Sequence, residues 1–213
     1  METIKKMWAH KIIKIFCWVF LVLFVLYAIL VIVRVVQLFN IDKTNAQVEK
    51  IHNTKLTLDD VMGKNLPPDP GVLADKTVAG VDANKNGIRD DVELAVFNTY
   101  PNSAKTRAVL LQYALALQME TVQPFINTTI ATEVIREEDR AYACVGQILV
   151  KDENNQKIMN QYFMDEDKLR SFIKKMQINT KERDQEQASF YENLRSYNSL
   201  PRICDIDYST LPN

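Results

Sequence analysis

The sequence predicts an all-α protein. A single membrane-spanning helix comes first, then a segment rich in Gly and Pro, then a small bundle of about five helices. Three observations predict this. Ile15 to Val33 is an uncharged run of Ile, Phe, Val, Leu, Trp, Tyr and Ala with one Cys. Beyond Asp90, apolar residues recur at helical spacing, punctuated by prolines and by Asn, Ser and Thr residues suited to cap helices. No stretch alternates apolar and polar residues in the manner of a strand.

The apolar run sets the first element. Its nineteen residues rise about 28 Å as a helix, close to the hydrocarbon thickness of a bilayer. A cleaved signal peptide is the alternative, but its apolar core is usually only about 7 to 15 residues long and ends in a small-x-small site. No Ala-x-Ala pattern follows this run, so the reading is an uncleaved anchor over 15–38. Lys5, Lys6, Lys11 and Lys14 precede it against Glu2 alone, whereas Arg34, Lys43 and Lys50 follow it among Asp42 and Glu49. The excess of positive charge keeps 1–14 on the cytoplasmic side. Everything after the anchor then faces the periplasm or the cell exterior, with the chain held in the inner or plasma membrane.

Charge and cysteines fit that assignment. Of 26 Lys and Arg and 27 Asp and Glu in the chain, five basic residues and one acidic residue lie before position 40. The remainder carries 21 and 26, a formal charge of −5. A net-negative surface without basic clusters argues against nucleic acid as a partner. Cys17 lies in the apolar run, leaving Cys144 and Cys204 as the only cysteines downstream. In an oxidising compartment an isolated pair forms a disulfide, the alternative being two reduced, unrelated thiols. Bonded, they close a loop of about 60 residues, which the chain-entropy model values at about 4 kcal/mol.

The remaining elements follow in order. Residues 39–62 form a stalk: Asp42 to Ile51 continues as a polar helix, and Leu56 to Met62 carries a short helical pattern. Residues 63–93 are irregular, because four of the five glycines and three of the seven prolines fall between Gly63 and Gly87. The bundle occupies 94–213. Val92, Val96 and Phe97 give a first stripe that Pro101 stops. Asn102 or Ser103 caps a second helix with Val109, Leu110, Tyr113 and Leu117 inward, ended by Pro124. A third, about Thr128 to Val150, repeats Val134, Ala141, Val145 and Ile148, with Cys144 on the same face. Glu153 to Met164 offers Ile158 and Tyr162, and Asp165 caps a restart with Leu169, Phe172, Ile173 and Met176. Thr180 caps a last helix bearing Phe190, Leu194 and Tyr197. The aromatic and Met stripes read as packing surface.

One stretch specifies a chemistry. Asp82-Ala-Asn84-Lys-Asn86-Gly87-Ile88-Arg-Asp90-Asp91-Val-Glu93 places oxygen-bearing side chains at positions 1, 3, 5, 9 and 12 of a twelve-residue loop, with glycine at position 6. A hard cation taking six to eight oxygens is wrapped by so short a loop only if the chain turns sharply at the sixth position. Gly87 permits that turn. Asp82, Asn84 and Asn86 would offer side-chain oxygens, Ile88 its main-chain carbonyl, Asp90 a direct or water-mediated contact, and Glu93 a bidentate carboxylate. A chance match in a chain this long is on the order of one in a thousand from average composition. The alternative is an Asx-rich turn in which Asp90 or Asp91 caps the following helix.

The loop resembles EF-hand calcium loops and, more closely, the thrombospondin type 3 and related single loops of exported bacterial proteins. Asp82, Asn84, Asn86, Gly87, Ile88 and Asp90 match the latter, and Glu93 matches the closing carboxylate of an EF-hand. The resemblance covers about a dozen of 213 residues. It departs from the EF-hand in that Ile88 sits one position early with Arg89 in the usual apolar place, no amphipathic helix abuts Asp82, and no second loop pairs with it. It implies calcium as a structural clamp. With only three carboxylates among the ligands, and Lys85 and Arg89 in the same loop, the expected dissociation constant is about 10⁻⁴ to 10⁻³ M.

Catalytic signatures are sparse. The two histidines, His10 and His52, lie on the N-terminal flank and in the stalk, and no phosphate-cradling Gly loop or Gly-x-Ser-x-Gly occurs. Acidic pairs such as Glu137–Glu138 and Asp165–Asp167 read as a solvated face. The chain is therefore read as a non-enzyme with no small-molecule substrate evident. Two functions remain: a calcium-stabilised structural or protein-binding module that meets an envelope partner, or an inhibitor or immunity-type protein that neutralises a toxin or hydrolase there.

Overall fold

Every regular element among the described residues is a helix or a helical turn, in line with the all-α expectation. The structure is a computed structural model; it describes the backbone of residues 2–200 and 204–212, and side chains from Ile13 onward. The chain divides into two compact units, Met1–Ala46 and Gln47–Asn213.

The first unit consists of helix α1 (Glu2–Asn53) up to Ala46. From Ile13 to Ile41 its large apolar side chains lie exposed, which is the surface a helix presents to lipid. By length and composition this stretch can cross a membrane.

The second unit begins with the last turns of α1, where Ile51 is buried. A single turn, α2 (Leu58–Val61), follows, opened by a reciprocal capping box between Thr57 and Asp60. Residues 62–89 contain only a 3-10 turn at Gly71–Leu73. Then come α3 (Asp90–Thr99), α4 (Ala104–Thr121), α5 (Thr128–Gln147), α6 (Gln156–Gln177) and α7 (Lys181–Glu192). Ser103, Asn127, Asn155 and Thr180 each accept a backbone N–H at the start of their helix, the bond that satisfies an otherwise orphaned donor.

α4 is the centre of the unit, in contact with α2, α3, α5, α6 and α7. It was expected to bury one face. Instead nearly its whole circumference is buried, including Leu111, Ala114, Leu115 and Ala116. The reason is legible afterwards: from Ala108 to Met119 the only strongly polar residues are Gln112 and Gln118, so no solvent face exists. Two boundaries also differ from expectation. α6 runs unbroken through Asp165, which projects outward and accepts from Gln161 Nε2 at 2.9 Å; with no Pro or Gly nearby, nothing ends the helix there. The last helix stops at Glu192, and Leu194 and Tyr197 pack on the core from non-helical chain.

Cys144, buried on α5, is bonded to Cys204. The C-terminal tail is fastened at further points: Asp205 Oδ1 lies 2.6 Å from Arg140 Nη1, Leu211 is in the core, and Pro212 O accepts from Ala104 N at 3.0 Å at the start of α4.

Candidate metal site

Two arginines fasten the loop and the irregular segment before it to α6 and α7. Arg183 of α7 is 1% exposed and donates to the carbonyls of Ala74 (2.6 Å), Val78 (3.0 Å) and Thr77 (3.1 Å), to Asp75, and to Asn179. Arg89 is fully buried; it grips Asp91 through Nε (3.0 Å) and Nη2 (2.5 Å) and donates to Gln177 O at 3.0 Å. A planar fork suits such multiple acceptance. Irregular backbone without ladder partners thus finds donors for its carbonyls from a helix about a hundred residues away. Because Asp91 engages Arg89, its guanidinium counts less against a cation in the loop than the sequence alone implies. Lys85, exposed and at φ +61°, remains.

Within the loop the predicted residues are brought together. Asp82 accepts from the backbone N–H of Asn86 (Oδ1, 3.1 Å) and Gly87 (Oδ2, 2.9 Å). Asn84 and Asn86 each donate through Nδ2 to Glu93 Oε2 at 3.0 Å. Asp90 opens α3, accepts from Ala83 N with both oxygens (3.0 and 3.2 Å), and donates its own N–H to Val81 O at 2.9 Å. Ile88 anchors the loop, its side chain fully buried. Gly87 sits at φ +86°, and a Cβ there would come within 2.7 Å of Leu115 Cδ1, so glycine is required both by conformation and by the approach to α4. The alternative of an Asx-rich turn capping α3 is met in part: Asn84 Oδ1 and Asn86 Oδ1 accept the backbone N–H of Asn86 (3.3 Å) and Ile88 (2.9 Å), but neither Asp90 nor Asp91 caps α3.

Glu93 is the anomaly. It is fully buried, and its Oε1 has no hydrogen-bond partner. Burial pushes its carboxyl up to about 7, the Asn84 and Asn86 amides oppose the shift, and the charges of Asp60 and Asp90 add to it. Asp90 is raised as well, again mainly by burial. Asp60 escaped sequence reasoning because nothing in the third residue of α2 signals that its charge acts on a carboxylate 33 positions on. Buried carboxylates repel one another and cost free energy unless a cation compensates them. An Asn amide turned about its last torsion exchanges Nδ2 for Oδ1, so the groups that now satisfy Glu93 are also candidate oxygen donors. Asp82, Asn84, Asn86, the Ile88 carbonyl, Asp90 and Glu93 are the residues that could hold a metal. Among the described residues no three His, Cys, Asp or Glu side chains stand close enough to hold one by themselves; a cation here depends on amide and main-chain oxygens as well.

Two other charged clusters were not foreseen. Glu137, expected on a solvated face, is buried among Lys55 (Nζ–Oε2 2.6 Å), Arg140 (2.5 Å) and His52 (Nδ1–Oε1 3.1 Å), and Glu133 lies 3.0 Å from His52 Nε2. Burial works against its ionisation, but hydrogen bonds from Lys55 and Arg140 overcome it and hold the carboxyl below its ordinary value. Glu120, 2% exposed, accepts from Gln187 Nε2 at 2.6 Å and faces Glu138. Burial first, then the like charge of Glu138, drives Glu120 well above the usual carboxylate range.

Fold and site together define an all-helical chain with one segment able to cross a membrane and a helical unit that carries an acid- and amide-lined loop. Compared with known proteins, the chain matches no family model, no curated sequence and no solved structure.

Proposed function

We propose that this protein is a single-pass, membrane-anchored, exported protein whose helical unit is stabilised by calcium bound in loop 82–93 and serves as a structural or protein-binding module for an envelope partner. The observation that carries the calcium reading is the fully buried Glu93 carboxylate, with one oxygen unpartnered and the other against the Asn84 and Asn86 amides. A divalent ion at that point would supply the missing partner, neutralise the mutual repulsion of Glu93, Asp90 and Asp60, and tie the irregular segment to α3. Weak binding of this class is useful where calcium is abundant, outside the cytoplasm. The Cys144–Cys204 bond and the lysine-rich flank before the apolar stretch support the same side of the inner or plasma membrane. We also read the unit as non-catalytic, since among the described residues no nucleophile, base and orienting group are assembled together.

Calorimetric titration of calcium into the full chain in lipid nanodiscs tests this. One site per chain, lost when Asp82→Ala and Glu93→Ala are combined, is expected; heat unchanged in the double variant overturns the assignment. Protease accessibility in sealed membranes tests orientation, with the helical unit expected on the outer side and cleavage from the cytoplasmic side contradicting it.

A further inference from the structure

The other face of the same loop lines a cleft. The end of α1 (Gln47 to Thr54), residues 79–87 and the second half of α4 surround a cavity of about 410 Å³, within the range of about 300–1,000 Å³ typical of small-ligand pockets. Its apolar lining comes from Ile51, Leu115, Met119 and Val122, and its charged lining from Lys50, Lys85 and Asp82. The lysines are exposed and form no ion pair among the described residues. Asp82 is already engaged, both carboxylate oxygens accepting backbone N–H groups of Asn86 and Gly87. Two cations thus face one carboxylate in the cleft lining, in a part of the chain whose formal charge is −5. An apolar wall beside two unpaired ammonium groups is complementary to one chemistry, an apolar body bearing an acidic group.

We propose that this cleft is a binding site for a small organic carboxylate with an apolar body. Lys50 and Lys85 hold the acid, and the side chains of α1 and α4 receive the body. The proposal rests on the reading of this unit as a binding module, and not on the metal. It supplies what the sequence left out, since Lys50 and Lys85 lie 35 positions apart and no motif joins them. A second consequence follows from geometry: Asp82 belongs both to the cleft wall and to the candidate metal ligands, so a cation in the loop reduces the one negative charge that faces the ligand.

The test uses the full chain in zwitterionic nanodiscs with chelator present, so that its outcome does not depend on calcium. Phenylbutyrate is the probe and phenylbutyramide its neutral control, followed by amide chemical shifts. Saturable shifts confined to 47–54, 79–87 and 115–123 are expected with the acid, and weaker binding with the amide. Lys50→Gln with Lys85→Gln should weaken the acid about tenfold, the scale of two exposed ion pairs, while leaving the amide unchanged. Equal binding of acid and amide, no loss in the double variant, or shifts located elsewhere overturn the proposal. Absence of calcium heat in the separate titration overturns the metal reading alone.

Discussion

Replacing Glu93 by Gln separates the charge of the site from its shape. Glu93 Oε2 accepts from Asn84 and Asn86 and its Oε1 has no partner. Gln can keep the first arrangement while removing a carboxylate that burial and the charges of Asp60 and Asp90 disfavour, so without calcium at neutral pH Glu93→Gln should be at least as stable as wild type. Calcium changes the comparison. At about 10 mM calcium and a dissociation constant of about 10⁻⁴ to 10⁻³ M, preferential binding stabilises the native state by about 1.4 to 2.7 kcal/mol. For a unit of this size each kcal/mol moves Tm by about 2–4 °C, so wild type should gain about 3 to 11 °C and Glu93→Gln almost nothing. Both tryptophans, Trp8 and Trp18, lie in the N-terminal part of α1, so far-UV circular dichroism is the better probe of melting. A Glu93→Gln protein that gains as much as wild type, or a wild type that gains nothing, would show that Glu93 does not ligate calcium.

Other parts of the structure give further expectations. Opening the Cys144–Cys204 bond, which spans 60 positions, should cost about 4 kcal/mol on the chain-entropy model; denaturant unfolding with and without reductant measures it, and a loss under about 1 kcal/mol would show that the tail is held by other contacts. Arg183→Met strands the carbonyls of Ala74, Thr77 and Val78 and should cost about 3 kcal/mol or more, with faster hydrogen exchange over 74–80; unchanged protection there contradicts the stapling role. Glu120 is raised by burial and by Glu138, so the folded state retains a proton that the unfolded chain releases above its ordinary value of 4.5. The stabilisation is complete below that value and is lost as pH rises from there towards about 9, by at most about 1.4 kcal/mol per pH unit. Glu120→Gln should flatten this decline in urea unfolding measured between acid and mildly alkaline pH; a variant whose stability falls as steeply as wild type contradicts it.

The parts of the fold that were legible in the sequence are those set by local physics. Ser103 and Thr180 cap helices because their own side chains satisfy the first orphan N–H groups, and the uncharged run of α1 declares itself by length alone. The central place of α4 was present as the lack of a polar face, a signal that stripe counting passes over when it looks for one apolar side. What could not be read were the long-range polar pairings. Arg183 meets carbonyls about a hundred positions earlier, and His52 and Lys55 meet Glu137 more than eighty positions away. Each alone is an ordinary charged residue on an ordinary helix, and only tertiary packing makes them partners. The same limit hid the cleft.

The candidate site was legible for a related reason. A twelve-residue loop keeps its donors within reach of one another whatever surrounds it, so Asp82, Asn84, Asn86 and Glu93 could be grouped from spacing alone. Spacing did not reveal that Glu93 would be fully buried, since that depends on α2 and the 62–89 segment covering it. Nor did it reveal that Asp91 would take Arg89 out of the loop's electrostatics.

Anomalous diffraction from crystals grown with calcium would locate an ion in loop 82–93. One peak per chain is expected between Asp82, Asn84, Asn86, the Ile88 carbonyl, Asp90 and Glu93, with oxygen distances of about 2.3–2.6 Å and both Glu93 oxygens turned toward the ion. An ordered loop with no peak there, and Glu93 Oε1 still without a partner, would contradict calcium binding in the loop.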